Sequence, residues 1–147
     1  MINLFITLFK SETVQILGTD DARIALAALM VRLARTDGDY AAIEITMIDR
    51  ILSNRYNLDE TATQVLRAAG EELESKAPDT VRFTRIVKEA VPYEERAGIV
   101  QALWSVVLAD GQHNDDEHGF MRLVANLLGV NDRDSAFARQ RAQKTVG

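Results

Sequence analysis

Cysteine is missing from this sequence, which removes disulfides, thiolate metal sites and cysteine nucleophiles from consideration. Proline occurs twice, at Pro78 and Pro92, so long stretches carry no obligate helix breaker. Basic residues are outnumbered. The 17 Lys and Arg against 22 Asp and Glu leave a formal charge of -5, and a nucleic-acid partner, which needs a basic face, is not expected. No apolar run approaches the roughly 20 residues needed to span a bilayer. The opening MINLFITLFK lacks a basic leader and a small-residue cleavage site, so it is not read as a secretory signal. Its Leu4, Phe5, Leu8 and Phe9 are expected to pack an N-terminal helix (residues 1–19) on the core. Weak membrane-surface association through residues 1–9 is the second reading. The lack of thiols suits a reducing compartment, and the expected location is cytoplasmic, at most peripheral to the inner membrane. A Gly-rich phosphate loop, a nucleophile elbow and an H-E-x-x-H pair are all missing, so no catalytic activity is expected.

What remains is helical periodicity. The 147 residues suit one domain, residues 1–147, and a hydrophobic fraction of 47% suits a soluble globular chain. Apolar residues recur at i, i+3, i+4 in segment after segment. The spacing predicts helices at 21–36 and 41–55, one from Asp59 to about Lys76, and another opened by Pro78-Asp79 with Val81, Phe83, Ile86 and Val87 inward. Further helices run from Pro92 to Asp110, over 115–128, and over 131–144, the last polar and rich in Arg133, Arg139, Arg141 and Lys144. Ile43, Met47, Ile48, Ile51 and Leu52 are expected on the core side of the second of these. The expectation is an all-α domain of seven or eight helices with short connections, whose core spans residues 20–145.

Two stretches repeat. RTDGDYAAIEITMIDRILSNRYNLDE begins at Arg35, and LADGQHNDDEHGFMRLVANLLGVNDRD begins at Leu108. Placing Asp37 on Asp110 puts Gly38 on Gly111, Glu44 on Glu117, Met47 on Phe120 and Ile51 on Val124. One deleted residue later, Leu58 falls on Val130. Each copy follows an apolar helix, so the unit is helix, Asp-Gly turn, five residues, Glu, helix. The copies, at about 22–58 and 94–130, predict two helical hairpins related by a pseudo-twofold.

Each copy resembles the D-G-x5-E signature of the tellurite-resistance TerB family. The same module is found at the N-terminus of a membrane-anchored DnaJ-like co-chaperone. The resemblance covers about residues 20–145. It implies an all-helical domain with an acidic divalent-metal site, a role in stress-linked or membrane-linked complexes, and no enzymatic activity. Its motif positions here are Asp37 and Glu44, then Asp110 and Glu117. The family often places a Ser or Thr cap and a Pro after the Asp-Gly, whereas this chain has Ala41-Ala42 and Asn114-Asp115.

The acids have two readings. In the first they are local chemistry. Asn114-x-x-Glu117 has capping-box spacing, first-turn acids gain from the helix dipole, and Asp before Gly is ordinary in turns. In the second, Asp37, Glu44, Asp110 and Glu117 converge between the hairpins. Four such oxygen donors suit a hard cation such as Mg²⁺, Ca²⁺ or Mn²⁺. Asp39, Asp115 and Asp116 would stand in an outer shell, and His113 and His118 would extend the choice to Zn²⁺ or Ni²⁺. Capping does not account for Glu44, since Ala41 has no capping side chain to pair with it. A protein-interaction module whose acids dock a basic partner, with 131–144 as a second face, is the alternative function.

Overall fold

Apolar residues at helical spacing, closed by a few caps, place nearly every described segment in a helix. The computed structural model describes residues 19–36, 40–76, 80–109 and 115–146. Its elements are α1 (Thr19–Arg35), α2 (Ala42–Tyr56), α3 (Glu60–Lys76), α4 (Thr80–Ala90), α5 (Tyr93–Leu108), α6 (Asp115–Leu127) and α7 (Asp132–Val146), with no strand among the described residues. The domain is all-α, as the periodicity predicts. The expected N-terminal helix and its membrane contact fall on residues 1–18, outside the described residues. No helix among the described residues is long and apolar enough to cross a membrane.

α1 is apolar on every side from Ile24 to Val31 and is buried accordingly. It touches α2, α3, α4, α5 and α6. Leu103, Val106 and Val107 give α5 the same character. The two helices pack on each other, and each has a principal partner, α3 for α1 and α7 for α5. The remaining packing follows the same exchange: α2 lies on α3 as α6 lies on α7, and α2 touches α5 as α6 touches α1. The repeat is therefore larger than the hairpin seen in sequence. It is a three-helix unit, α1–α3 and α5–α7, whose helix contacts exchange across the α1–α5 pair.

Local details carry the same symmetry. Asn57 (φ 55°) and Gly129 (φ 83°) occupy the left-handed C-cap of α2 and the C-terminal turn after α6. The Leu58 amide donates to the Ser53 carbonyl at 3.0 Å, and the Val130 amide donates to the Ala125 carbonyl at 2.9 Å. The next helices are capped alike: the Ala62 amide donates to Asp59 Oδ1, and the Asp134 amide to Asn131 Oδ1, both at 2.8 Å. From Glu44 to Asn57 the chain takes one residue more than from Glu117 to Gly129, which locates the deletion within the second helix of the unit.

Packing corrects two expectations and shows a buried face on α7. Val81 is 44% exposed and Thr84 takes the inward position beside Phe83 and Val87, its hydroxyl satisfied by the Val81 carbonyl at 2.9 Å. Ile43 is exposed on α2, because Glu44 holds the inward turn there. The polar helix at 131–144 is not merely a solvated face. Ser135, Ala138 and Ala142 are buried against α5, and their small size lets the helices approach closely. In α3 the matching positions are Thr63, Leu66 and Gly70, also buried.

Candidate functional site

Glu44 and Glu117 occupy the same place in the two units, three residues into or just inside the second helix. Glu44 is 1% exposed and Glu117 0%. Of the other first-turn acids, Glu60, Glu94, Glu95, Asp116 and Asp132 are exposed and Asp134 is half-buried. The dipole of a helix N-terminus favours an acid there but does not require it to be buried. Burial is expensive for a carboxylate, which needs donors or a cation around it once water is gone.

For Glu44 part of that need is visible. The Ala41 amide donates to its Oε1 at 3.0 Å, the half of a capping box that a glutamate alone can make. Ala41, in extended conformation at φ −77° and ψ 156°, returns no side-chain bond.

α2 and α6, which carry the glutamates, each lie against both α1 and α5. Each glutamate is thus carried by a helix that packs on both central helices. Asp37, Asp39, Asp110, His113 and the side chain of Asp115 lie outside the described residues. Asp116 is exposed. His118 is half-buried and meets Trp104 edge-on, with centroids 5.5 Å apart and planes at 84°. Among the described residues no three His, Asp or Glu side chains form a metal-ligating group.

A polar network missed in the sequence braces the first glutamate's helix. The Tyr40 hydroxyl donates to Glu71 Oε2 at 2.7 Å. Arg67 donates to the same oxygen through Nη1 at 3.0 Å and to Asp49 Oδ1 through Nε at 2.6 Å. Burial works against the Arg67 charge, but its bonds to Asp49 and Glu71 outweigh it and raise the guanidinium above its ordinary value. Arg35 lies over the Tyr40 ring at 5.0 Å and pairs with Glu74 at 3.3 Å. The Arg67–Glu71 spacing is a readable i,i+4 pair, but nothing local signals that it reaches Asp49 on another helix.

This network has a consequence at alkaline pH. Burial, then the bond to Glu71, raises the Tyr40 pKa far above the ordinary 10.0. Burial also raises Tyr56, against Arg55 and Arg23. In the unfolded chain both phenols ionise near pH 10. Above that pH the unfolded state binds fewer protons than the folded one, so stability present below pH 10 is lost as pH rises. Melting temperatures should hold from pH 8 to about 9.5 and then fall. The fall should be shallower in a Tyr40→Phe, Tyr56→Phe variant. Equal slopes would show that these phenols do not govern the alkaline limb.

The fold also resembles that of a protein of unknown function from Porphyromonas gingivalis W83, whose crystal structure aligns with a TM-score of 0.65 at 15% identity, over 87% of this chain and 92% of that one. At such identity the likeness speaks for the fold alone. No match is found among curated proteins. The family profile described as "Tellurite resistance protein TerB" matches residues 23–140. That span begins inside α1, ends inside α7, and takes in both Asp-Gly pairs of the sequence repeat and both buried glutamates. The chain belongs to the TerB family.

Proposed function

We propose that this TerB-family chain is a non-enzymatic accessory protein that binds a divalent cation through the carboxylates of its two repeats. The observation that carries the reading is the burial of both Glu44 and Glu117. A buried carboxylate with a neighbouring acid is stabilised by a shared cation. The acids assigned to share it are Asp37 and Asp110, seven residues before each glutamate in sequence, with Asp39, Asp115 and Asp116 as outer-shell acids. An all-oxygen donor set selects Mg²⁺, Ca²⁺ or Mn²⁺ over softer ions. The role is that of a stress-associated component working with a protein partner in the cytoplasm.

Melting in EDTA, then in Mg²⁺, Ca²⁺, Mn²⁺ or Zn²⁺, tests the reading. At 100 times Kd a bound ion adds about 2.7 kcal/mol, which raises Tm by about 8 °C in a domain of this size. Glu44→Gln with Glu117→Gln should abolish the shift. Each single variant decides between one shared ion, lost in both, and two separate ions, halved in each.

The Ala41–Glu44 bond supports the second reading, in which the acids cap helices and the acidic surface docks a basic partner. Binding of that kind weakens with any salt, whereas the metal site answers to one ion. No Tm shift with any ion would leave the docking reading.

A further inference from the structure

The two units diverge where Arg67 is braced. In the register set by the caps, Arg139 of α7 stands where Arg67 stands on α3. In the register set by Glu44 and Glu117, Arg122 stands where Asp49 stands. Gln143 replaces Glu71 and Trp104 replaces Val31. The second unit has thus kept the buried-side guanidinium and exchanged both of its carboxylates, one of them for another cation.

Structure shows what fills the gap, and what does not. Arg139 stacks over the Trp104 ring at 5.1 Å. Its Nε is buried and has no hydrogen-bond partner. None of the ion pairs among the described residues includes Arg122 or Arg139. Both line a cavity of about 150 Å³ with Trp104, His118, Ser135 and Asp132. Ser135 is fixed there, since it accepts the Trp104 indole N–H at 3.1 Å. Two guanidiniums against the one carboxylate of Asp132 leave the lining positive. A buried guanidinium N–H without an acceptor is destabilising, and a planar N–H fork of this kind matches a carboxylate.

We propose that this cavity between α5, α6 and α7 is a carboxylate-binding subsite, in which an external carboxylate takes the place that Asp49 holds in the first unit. At about 150 Å³ the space lies below the usual range of sites for drug-sized ligands. That admits a small organic acid or the side chain of a partner's Asp or Glu, and is too small for a nucleotide. The site is separate from the buried glutamates and needs no metal.

Trp104 is the only tryptophan in the chain and reports from inside the cavity. The full chain, in metal-free buffer at constant ionic strength, would be titrated with glutarate, with a blocked Gly-Glu-Gly peptide, with inorganic phosphate and with chloride, following Trp104 fluorescence. A saturable change with glutarate or the peptide is expected, and which of them binds tighter identifies the source of the carboxylate. Arg139→Gln should weaken binding about tenfold or more, the usual result of removing a bond to a charged group. Arg122→Asp rebuilds the first unit's pair. It should abolish binding and also raise Tm by about 3 °C, a gain that a merely misfolded variant cannot show. The proposal is overturned by no saturable change up to 50 mM, by a response that chloride or phosphate matches, or by undiminished binding in Arg122→Asp.

Discussion

Gly70→Val is expected to remove about 3 kcal/mol of stability or more, at the upper end of what overpacking costs. A Cβ at Gly70 would lie 2.6 Å from the Ala27 Cβ, 2.9 Å from the Ala27 carbonyl carbon and 3.0 Å from the Ala28 nitrogen. Two of those three atoms are backbone, so no rotamer change relieves the clash. α3 would have to move off α1, the helix that touches five others. Gly70→Ala separates the terms. Alanine recovers about 1 kcal/mol of helix propensity, yet it carries the offending Cβ, so a net loss of about 1–2 kcal/mol is expected. At the matching position of the second unit, Ala142 is already accommodated against α5. Urea unfolding of both Gly70 variants, at unchanged m, is the measurement. A Gly70→Ala protein as stable as the parent would mean that α1 and α3 yield at this crossing.

That crossing also shows what could be read in advance. Periodicity located the helices because most of their buried faces are built of Leu, Ile, Val and Met, whose 3.6-residue recurrence is unmistakable. Asp59 and Asn131 announced their caps through local chemistry alone. The burial of α7 was obscured because its inward face is Ser135, Ala138 and Ala142, residues that carry almost no hydropathy signal. Its burial depends on close approach, which is a property of two helices and not of one. For the same reason the repeat appeared as two hairpins and not as two three-helix units. Val81 misled because its hydrophobicity was weighed without Thr84, whose hydroxyl bonds its own helix and so enters the core at little cost.

The acids were legible as a repeat but not as buried groups. Alignment of Glu44 on Glu117 needed only spacing, whereas their burial follows from packing α2 and α6 against both central helices. The loss of Arg139's partners was equally hidden. It emerges only once two registers, one set by the glutamates and one by the caps, bring position 122 and position 139 to the same cavity. Duplication is what makes such a loss interpretable: the first unit records the satisfied arrangement, Arg67 between Asp49 and Glu71, and the second departs from it.

Phe83→Ala is the other large effect, about 3–5 kcal/mol. Phe83 is 1% exposed and lies on α4, the one described helix outside both units. α4 packs on α1 of the first unit and on α6 of the second, so it clamps them together beside the α1–α5 contact. Truncating its largest buried side chain leaves a void in the helix that touches both. Arg32 ties the same region from above. Its guanidinium lies 5.1 Å from the Phe83 ring centroid and donates to Thr80 Oγ1 at 3.0 Å, to Glu74 Oε2 at 3.2 Å and to the Glu74 carbonyl at 3.1 Å. A double-mutant cycle with Arg32→Met should give a coupling of about 0.5–1 kcal/mol, the share that belongs to the ring and cation together. The remainder is core packing. If α4 is the clamp, Phe83→Ala must lower the stability of the whole domain in one transition, with urea and thermal probes in agreement. A loss well below 3 kcal/mol, still in one transition, would instead show that the α1–α5 contact, not α4, is what joins the units.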